Sequence, residues 1–548
     1  MTTETRIHPA ASRAPSLLDR IGRELLVGRE RELAEALVGL RHALAGEGRV
    51  LLISGEPGVG KTRFARELIA QMQAAGATAL AGECYAEGDV PYAAVARIIR
   101  DGFQQAPRLD LPDTALADLV ALAPALHPRY PAIPAGPGLD PKFQQQRLFE
   151  SVAAWCEAMC SAAPLLLFVD DVQWADGATL FLLRHLARRA RTLPLLLVMT
   201  LREAEPEPSS SLDNVLLDLN RERLITYFNL ARLSRDATGA LLAAMFTEES
   251  PPDLLDGIYA QTEGNPFFIE EVCKALIEEG KLAFRDGHWQ RSSMAEIKIP
   301  QTVRAAILAR VARIPKPAQE VLRLAAIVGR EFDLETLQRA GDLDEEALVA
   351  ALESSLRAQL ITEVEARGAR ALQFSFVHVL IASALRESTI HVRRRLLHRR
   401  VAQALEGLRP EDFEALAFHY AEAGDAERAY EYYAQAGRRA QTWAPQDAVR
   451  LFRAALEYCP APNVRGRAEA VGRLGYGLWV TADDQAALTG FEEADRLLEA
   501  AGLRLQSAEA QRMIGRIYWA QADREAALTH YGKALEILEQ GPETLELA

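Results

Sequence analysis

Eight residues, Gly55-Glu56-Pro57-Gly58-Val59-Gly60-Lys61-Thr62, have the types and spacing of a loop that cradles phosphates. Its glycines reach backbone conformations that turn successive N–H groups inward, and a helix starting near Arg63 adds the positive end of its dipole. Lys61 supplies a point charge to the β- and γ-phosphates of a nucleoside triphosphate, and the Thr62 hydroxyl is placed to ligate Mg²⁺. A second group, Asp170-Asp171, ends the apolar run Leu165-Leu166-Leu167-Phe168-Val169. Two carboxylates at the end of a buried strand suit a Walker B element, with Asp170 holding Mg²⁺ and Asp171 orienting or deprotonating the attacking water. A third is Thr200-Leu201-Arg202, where Arg202 can read a γ-phosphate. The bland alternatives are a solvated turn for the aspartates and an exposed loop arginine for Arg202. The assignment is therefore Lys61, Asp171 and Arg202 as catalytic, Thr62 and Asp170 as metal ligands, and Glu56 through Arg63 as nucleotide contacts. ATP or ADP with Mg²⁺ are the implied cofactors. A base on the short aspartate side chain predicts slow turnover.

These groups need a parallel sheet to hold them. Apolar runs at 50–54, 77–82, 165–170 and 195–200 alternate with helical patterns, the mark of an α/β core whose strands are covered on both faces. The proline-rich stretch 106–140 reads as an insertion or loop, and 203–211 as an exposed loop. The chain divides into a loose tail (1–20), a P-loop ATPase domain (21–235), a small helical lid (236–298), a winged-helix domain (299–408) and tetratricopeptide-like helical repeats (409–548). A hairpin is expected at 284–289, turning at Asp286-Gly287. The wing is expected at 371–376. In the repeats, Gly475, Ala487, Phe491 and Ala494 recur 40 residues later as Gly515, Ala527, Tyr531 and Ala534. Small residues at such positions let paired helices approach. Two further sets, Tyr420/Ala429/Tyr433/Ala436 and Ala448/Phe452/Ala455/Pro460, fit the same template, giving four units. The sequence stops soon after a repeat with no polar capping helix, so a fragment, or an array completed by another chain, is expected.

The 548 residues suggest three or four domains. Lys and Arg number 62 against 76 Asp and Glu, a net charge of −14 that disfavours global steering toward nucleic acid. One local exception is the basic helix with Arg393, Arg394, Arg395, Arg399 and Arg400, which reads either as DNA backbone contact or as an acid-paired face between domains. No apolar run is long enough to span a bilayer and the N-terminus lacks a signal core, so a cytoplasmic chain with no membrane partner is expected. The five cysteines are odd in number and scattered, and Cys156 and Cys160 read as buried apolar thiols rather than metal ligands.

With these motifs together, the chain resembles the STAND class of AAA+-related signalling ATPases, in particular the large ATP-binding LuxR-type regulators to which the maltose-regulon activator belongs. The resemblance rests on Val27-Gly28-Arg29-Glu30, the phosphate loop, Asp170-Asp171-Val172-Gln173-Trp174-Ala175-Asp176, Thr200-Leu201-Arg202, Gly264-Asn265-Pro266-Phe267 and Phe374-Ser375-Phe376-Val377-His378. It implies that Val27, Gly28 and Arg29 border adenine and ribose, that Pro266 packs on the base, that Arg202 acts as sensor 1, and that His378 contacts the nucleotide phosphates. Trp174 is expected to pack under the active-site loop. The resemblance further implies a switch in which an effector or partner at the repeats drives ADP–ATP exchange, opening and self-oligomerisation. This sequence departs from those regulators in showing no C-terminal helix-turn-helix, so a DNA output falls to a missing domain or to the basic helix. The competing reading is an origin-recognition or loader-type DNA-handling ATPase.

Overall fold

Five apolar segments pair in parallel: β1 (Arg49–Gly55), β2 (Thr78–Glu83), β3 (Leu165–Asp170), β4 (Leu195–Arg202) and β5 (Ile225–Leu230), in the order β2-β3-β4-β1-β5. The computed structural model describes residues 26–85, 90–133, 141–203, 210–285, 288–291, 302–341, 344–364 and 372–540. Alternate strand residues feed two cores. Val50, Leu52, Leu165 and Leu167 pack with Trp155 and Leu183 on one face, while Leu51, Ile53, Leu166 and Phe168 pack with Phe64 and Leu68 on the other. Covering on both faces is why the runs are continuously apolar. β5 escapes that pattern: it is an edge strand pairing with β1, its Thr226 and Tyr227 are exposed, and no apolar run announces it. At the carboxyl edge Gly55 stands opposite Arg202 and Glu83 opposite Asp170, so the register alone gathers the chemistry-bearing residues.

The stretch read as a loop is partly helical. Asp113–Leu122 forms a helix between Pro112 and Pro124, short enough that neither proline interrupts it. The turn residues 286–287 lie outside the described residues, and the strands flanking them, β6 (Leu282–Arg285) and β7 (His288–Arg291), pair antiparallel. Residue 371 also lies outside; the wing strands are β8 (Glu331–Asp333), β9 (Ile361–Val364) and β10 (Gln373–Phe376), in the order β8-β10-β9. Helices Val303–Val311, Lys316–Val328 and Glu345–Arg357 surround this small sheet, and the arginine-rich helix His391–Leu408 buries Leu397, Val401 and Leu405 in the same core. Arg393 pairs with Glu320 and Arg395 donates to the Ala423 carbonyl, so part of the basic face serves intrachain contacts.

The repeats differ from four units in series. Helix Ala426–Trp443 packs against both Phe413–Ala423 and Pro445–Tyr458, so two of the predicted units share one helix. Three hairpins remain: Ala426–Trp443 with Pro445–Tyr458, Val464–Val480 with Asp484–Ala500, and Arg504–Ala520 with Arg524–Glu539. Each sets an aromatic ring against a glycine of its partner helix. Phe452 lies on Gly437, Phe491 on Gly475 and Tyr531 on Gly515, where an added Cβ would meet the ring at 2.9, 3.4 and 2.8 Å. Gly437 is to Phe452 what Gly475 is to Phe491, a counterpart that the Ala448/Phe452/Ala455/Pro460 set left unnamed. Among the described residues no helix is long and apolar enough to cross a membrane. Cys156 and Cys160 are buried free thiols, and burial pushes the Cys160 thiol up to about 12.

The array docks directly on the ATPase domain. Asp447 accepts from the backbone N–H groups of Gly177 (3.3 Å) and Ala178 (3.0 Å), capping the helix Gly177–Ala190 that follows the Asp170-Asp171 pair. Asp176 caps the same helix through Thr179 N at 2.7 Å. The Tyr92 hydroxyl donates to the Trp443 carbonyl at 2.9 Å and Gln145 to Gln446 at 3.0 Å. Arg450 lies against both Glu414 (3.2 Å) and Asp447 (3.6 Å). Burial, only partly offset by Arg450, pushes the Glu414 carboxyl up to about 8, and burial raises Asp176 and Asp447 as well. A carboxyl raised by folding stabilises the fold at low pH and loses that contribution as pH rises through its folded value. Glu414→Gln, which mimics the protonated acid, is expected to flatten the fall in melting temperature between pH 5 and 9 and to exceed the parent at the alkaline end. Parallel falls in parent and variant would refute the seam assignment.

Candidate nucleotide site

The phosphate loop is shaped by three glycines at φ +148° (Gly55), +82° (Gly58) and +101° (Gly60). Gly58 is also a close approach: a Cβ there would lie 2.9 Å from Asn265 Oδ1 and 3.0 Å from Phe267 Cβ. Asn265 opens the helix Pro266–Glu278 as its N-cap, its Oδ1 accepting from Phe268 N at 3.2 Å. The same side chain donates through Nδ2 to the Pro57 carbonyl (3.0 Å), and Phe267 N donates to the Gly58 carbonyl (3.2 Å). The helical domain thus grips the loop through backbone carbonyls. Asn265 stands in the quoted Gly264–Phe267 motif but was given no role of its own, although Asn before Pro-Phe is an N-cap signature.

Lys61 is buried, its Nζ donating to the carbonyls of Gly55 (2.8 Å) and Glu56 (3.0 Å), and burial lowers its ammonium to about 8. Thr62 Oγ1 donates to Asp170 Oδ2 at 2.9 Å. Thr200 ties the two aspartates together, its hydroxyl bonding the Asp170 carboxylate while accepting from Asp171 N at 2.7 Å. Asp170 is raised above the usual carboxylate range by burial and by the charge of Asp171. Asp171 adopts the left-handed conformation (φ +57°), a strained geometry for a non-glycine residue that Asp tolerates. Burial opposes its ionisation, but the Arg202 guanidinium, bound through two hydrogen bonds (Nε to Oδ1 at 3.1 Å), outweighs it and holds the carboxyl low. Thr62 and Asp170 are hard oxygen donors in mutual contact, a set that fits Mg²⁺ completed by phosphate oxygens and water.

Lys61, Thr62, Asp171 and Arg202 open onto a cavity of about 330 Å³ that three domains enclose, with Asp170 buried behind Thr62 and off its wall. The ATPase domain contributes Pro57, Gly58, Gly60, Lys61, Thr62, Arg63, Asp171 and Arg202; the helical domain Pro266, Phe267, Glu270 and Lys274; the winged-helix domain Arg330, Gln359 and His378. The His378 ring stacks on Phe267 with centroids 3.8 Å apart at 21°. Its Nδ1 accepts from Leu380 N at 3.2 Å, which leaves Nε2 as the protonated nitrogen. Burial first, then Arg330 and Arg202, push its pKa down to about 3, so the ring is a neutral donor at ordinary pH. Arg63 is held by Glu270 at 2.8 Å.

The remaining predicted contacts lie elsewhere. Arg29 turns its guanidinium onto the Val59 and Ala231 carbonyls, and Gly28 packs against Ala237. Val27 joins the apolar cluster around Leu233 and Leu241, Val59 is a core residue, and Glu56 pairs with Arg232 at 2.8 Å. None of the five lines the cavity wall. Trp174 packs against the main core and is also off that wall.

Residues 25–198, which carry the phosphate loop and both aspartates, match the family described as AAA ATPase domain. That segment is an AAA ATPase domain. An uncharacterized protein of Rhizobium meliloti (strain 1021) is 27% identical over 474 aligned positions, and the match covers 81% of this chain and 44% of that protein. The chain therefore spans less than half the length of this curated relative. Among solved structures, a STAND protein with a tetratricopeptide repeat sensor from Pyrococcus horikoshii aligns at a TM-score of 0.44 with 14% identity, covering 94% of this chain and 78% of that one. The Aeropyrum pernix ORC1 protein in complex with DNA aligns at 0.32 with 16% identity, over 69% and 97%.

The grip of Asn265 on the AAA ATPase domain gives a direct test. Asn265→Ala removes both the cap and the bond to Pro57, and is expected to lower stability by about 1–2 kcal/mol. It should also weaken nucleotide binding, read together by thermal unfolding with and without ADP. Unchanged affinity would mean the loop holds its shape without the helical domain.

Proposed function

We propose that the chain is an ATP-dependent signalling switch of the STAND kind. ADP is held closed between the three domains, and exchange for ATP opens them. The observation that carries this reading is the stack of His378 on Phe267 above the phosphate loop. A histidine of the winged-helix domain, a helix of the lid and Lys61 of the ATPase domain share one cavity, so nucleotide identity can bias domain geometry through differential contacts. His378 offers Nε2–H to a phosphate oxygen without adding a charge that release would have to break. Mg²⁺ on Thr62 and Asp170 would neutralise phosphate charge. Asp171 would position the water; its closure onto Arg202 supports slow hydrolysis, because that pair must open before Asp171 meets a water.

The reading extends to partners. A groove of about 960 Å³ among the repeat helices, with Arg473, Tyr476, Phe491 and Met513 on its walls, suits an effector or protein segment. Self-association in the ATP state would follow opening. DNA contact is the weaker reading, since Arg393 and Arg395 already serve the chain's own contacts.

Denaturing freshly purified protein and identifying the released nucleotide by chromatography tests the resting state, and near-stoichiometric ADP is expected. Lys61→Ala should abolish nucleotide binding and switching, and retained ATP affinity in that variant would sink the assignment. His378→Ala should speed ADP release by about tenfold if one neutral hydrogen bond to phosphate is lost. An unchanged off-rate, measured with a fluorescent ADP analogue, would leave His378 a purely structural role.

A further inference from the structure

Three cations of the cavity wall are matched within their own domain. Lys61 is turned onto loop carbonyls, Arg202 onto Asp171, and Lys274 lies 3.4 Å from Glu271. Two others are paired across domains: Arg63 reaches Glu270 of the helical domain, and Arg330 reaches the edge of the ATPase sheet. Arg330 is the cation that the winged-helix domain contributes to the wall among the described residues. Its Nη1 lies 3.1 Å from Glu83 Oε2, at the carboxyl end of β2, while its Nε is buried with no hydrogen-bond partner. Glu83 stands opposite Asp170 in the sheet register and accepts from the Tyr85 hydroxyl at 3.0 Å. The next residue, Glu331, makes the reverse pair with Arg97 of the ATPase domain at 2.9 Å. Two adjacent residues of opposite charge therefore fasten the wing to the sheet edge beside the site.

We propose that Arg330 is a phosphate-reading residue with two stations, Glu83 when the cavity holds a diphosphate and the terminal phosphate when it holds a triphosphate. The proposal rests on the nucleotide reading above. A guanidinium is a planar fork of five donors, and here one of them, Nε, is buried and unsatisfied. A terminal phosphate presents more charge and more acceptor oxygens than the single carboxylate of Glu83, and binds such a fork in bidentate fashion. Arg330 enters β8 directly, so leaving Glu83 loosens one of the two ion pairs that hold the wing. A triphosphate thus draws on the group that fastens the domain, whereas a diphosphate leaves it engaged. Burial beside Asp171, Lys61 and His378 makes the transfer short-range and little screened by salt.

The test is calorimetric titration of ADP and of ATP, each with Mg²⁺, into the nucleotide-stripped full chain and its variants. Arg330→Gln should weaken ATP about tenfold more than ADP, the cost of one charge-assisted contact. Arg330→Lys should recover part of that preference by keeping the charge without the fork. Glu83→Gln, which removes the competing station, should raise the ATP-to-ADP affinity ratio above that of the parent. Equal losses for both nucleotides in Arg330→Gln would make the residue merely structural and overturn the proposal, as would an unchanged ratio in Glu83→Gln. A parent chain that binds neither nucleotide would instead bring down the nucleotide reading, and this one with it.

Discussion

The structure hangs on two hydrogen bonds from the start of one helix to the carbonyls of the phosphate loop, Asn265 Nδ2 to Pro57 and Phe267 N to Gly58. They fix where the lid sits, and Phe267 then supplies the face on which His378 stacks. Through that ring the winged-helix domain is positioned over Lys61. Each step needs the previous one at van der Waals distance, and the absence of a side chain at Gly58 permits the first. A loop that must fold around phosphate is thus held from outside through its own carbonyls, at Pro57 and Gly58.

The two seams around this centre carry opposite electrostatics. Where the arginine-rich helix meets the first helix of the array, His398 and His419 share an Nδ1–Nδ1 contact of 3.0 Å, and burial lowers them to about 4 and about 3. Histidines kept neutral by folding favour opening as pH falls below their ordinary value, because the open state takes up the protons. The carboxylates at the ATPase seam work in the other sense. The two seams therefore answer a change of pH in opposite directions.

Much of this was legible in the sequence where one residue type does one job. Gly58, Lys61, Thr62 and Asp170 have few substitutes at their posts, and the strands betray themselves because both faces are covered. Four features escaped for physical reasons. β5 is an edge strand whose exposed Thr226 and Tyr227 break the apolar run. The helix Asp113–Leu122 fits between prolines that, counted together, read as loop. Arg330 is a lone arginine whose significance comes from Glu83, distant in sequence and adjacent only after the wing docks. Gly437 was missed because its spacing to Gly475 differs from the 40-residue period of the later hairpins.

The docking of the array has a mechanical corollary. Ala436, Ala440, Ala444, Leu451 and Phe452 of its first hairpin belong to the same continuous apolar core as Val50, Leu167 and Trp155 of the ATPase sheet. A solenoid ordinarily transmits force only between neighbouring repeats. Here the first repeat is welded to a globular domain, so the ATPase domain serves as the array's terminal cap. The shared core predicts that the first hairpin unfolds together with the sheet, across the change of architecture near residue 409.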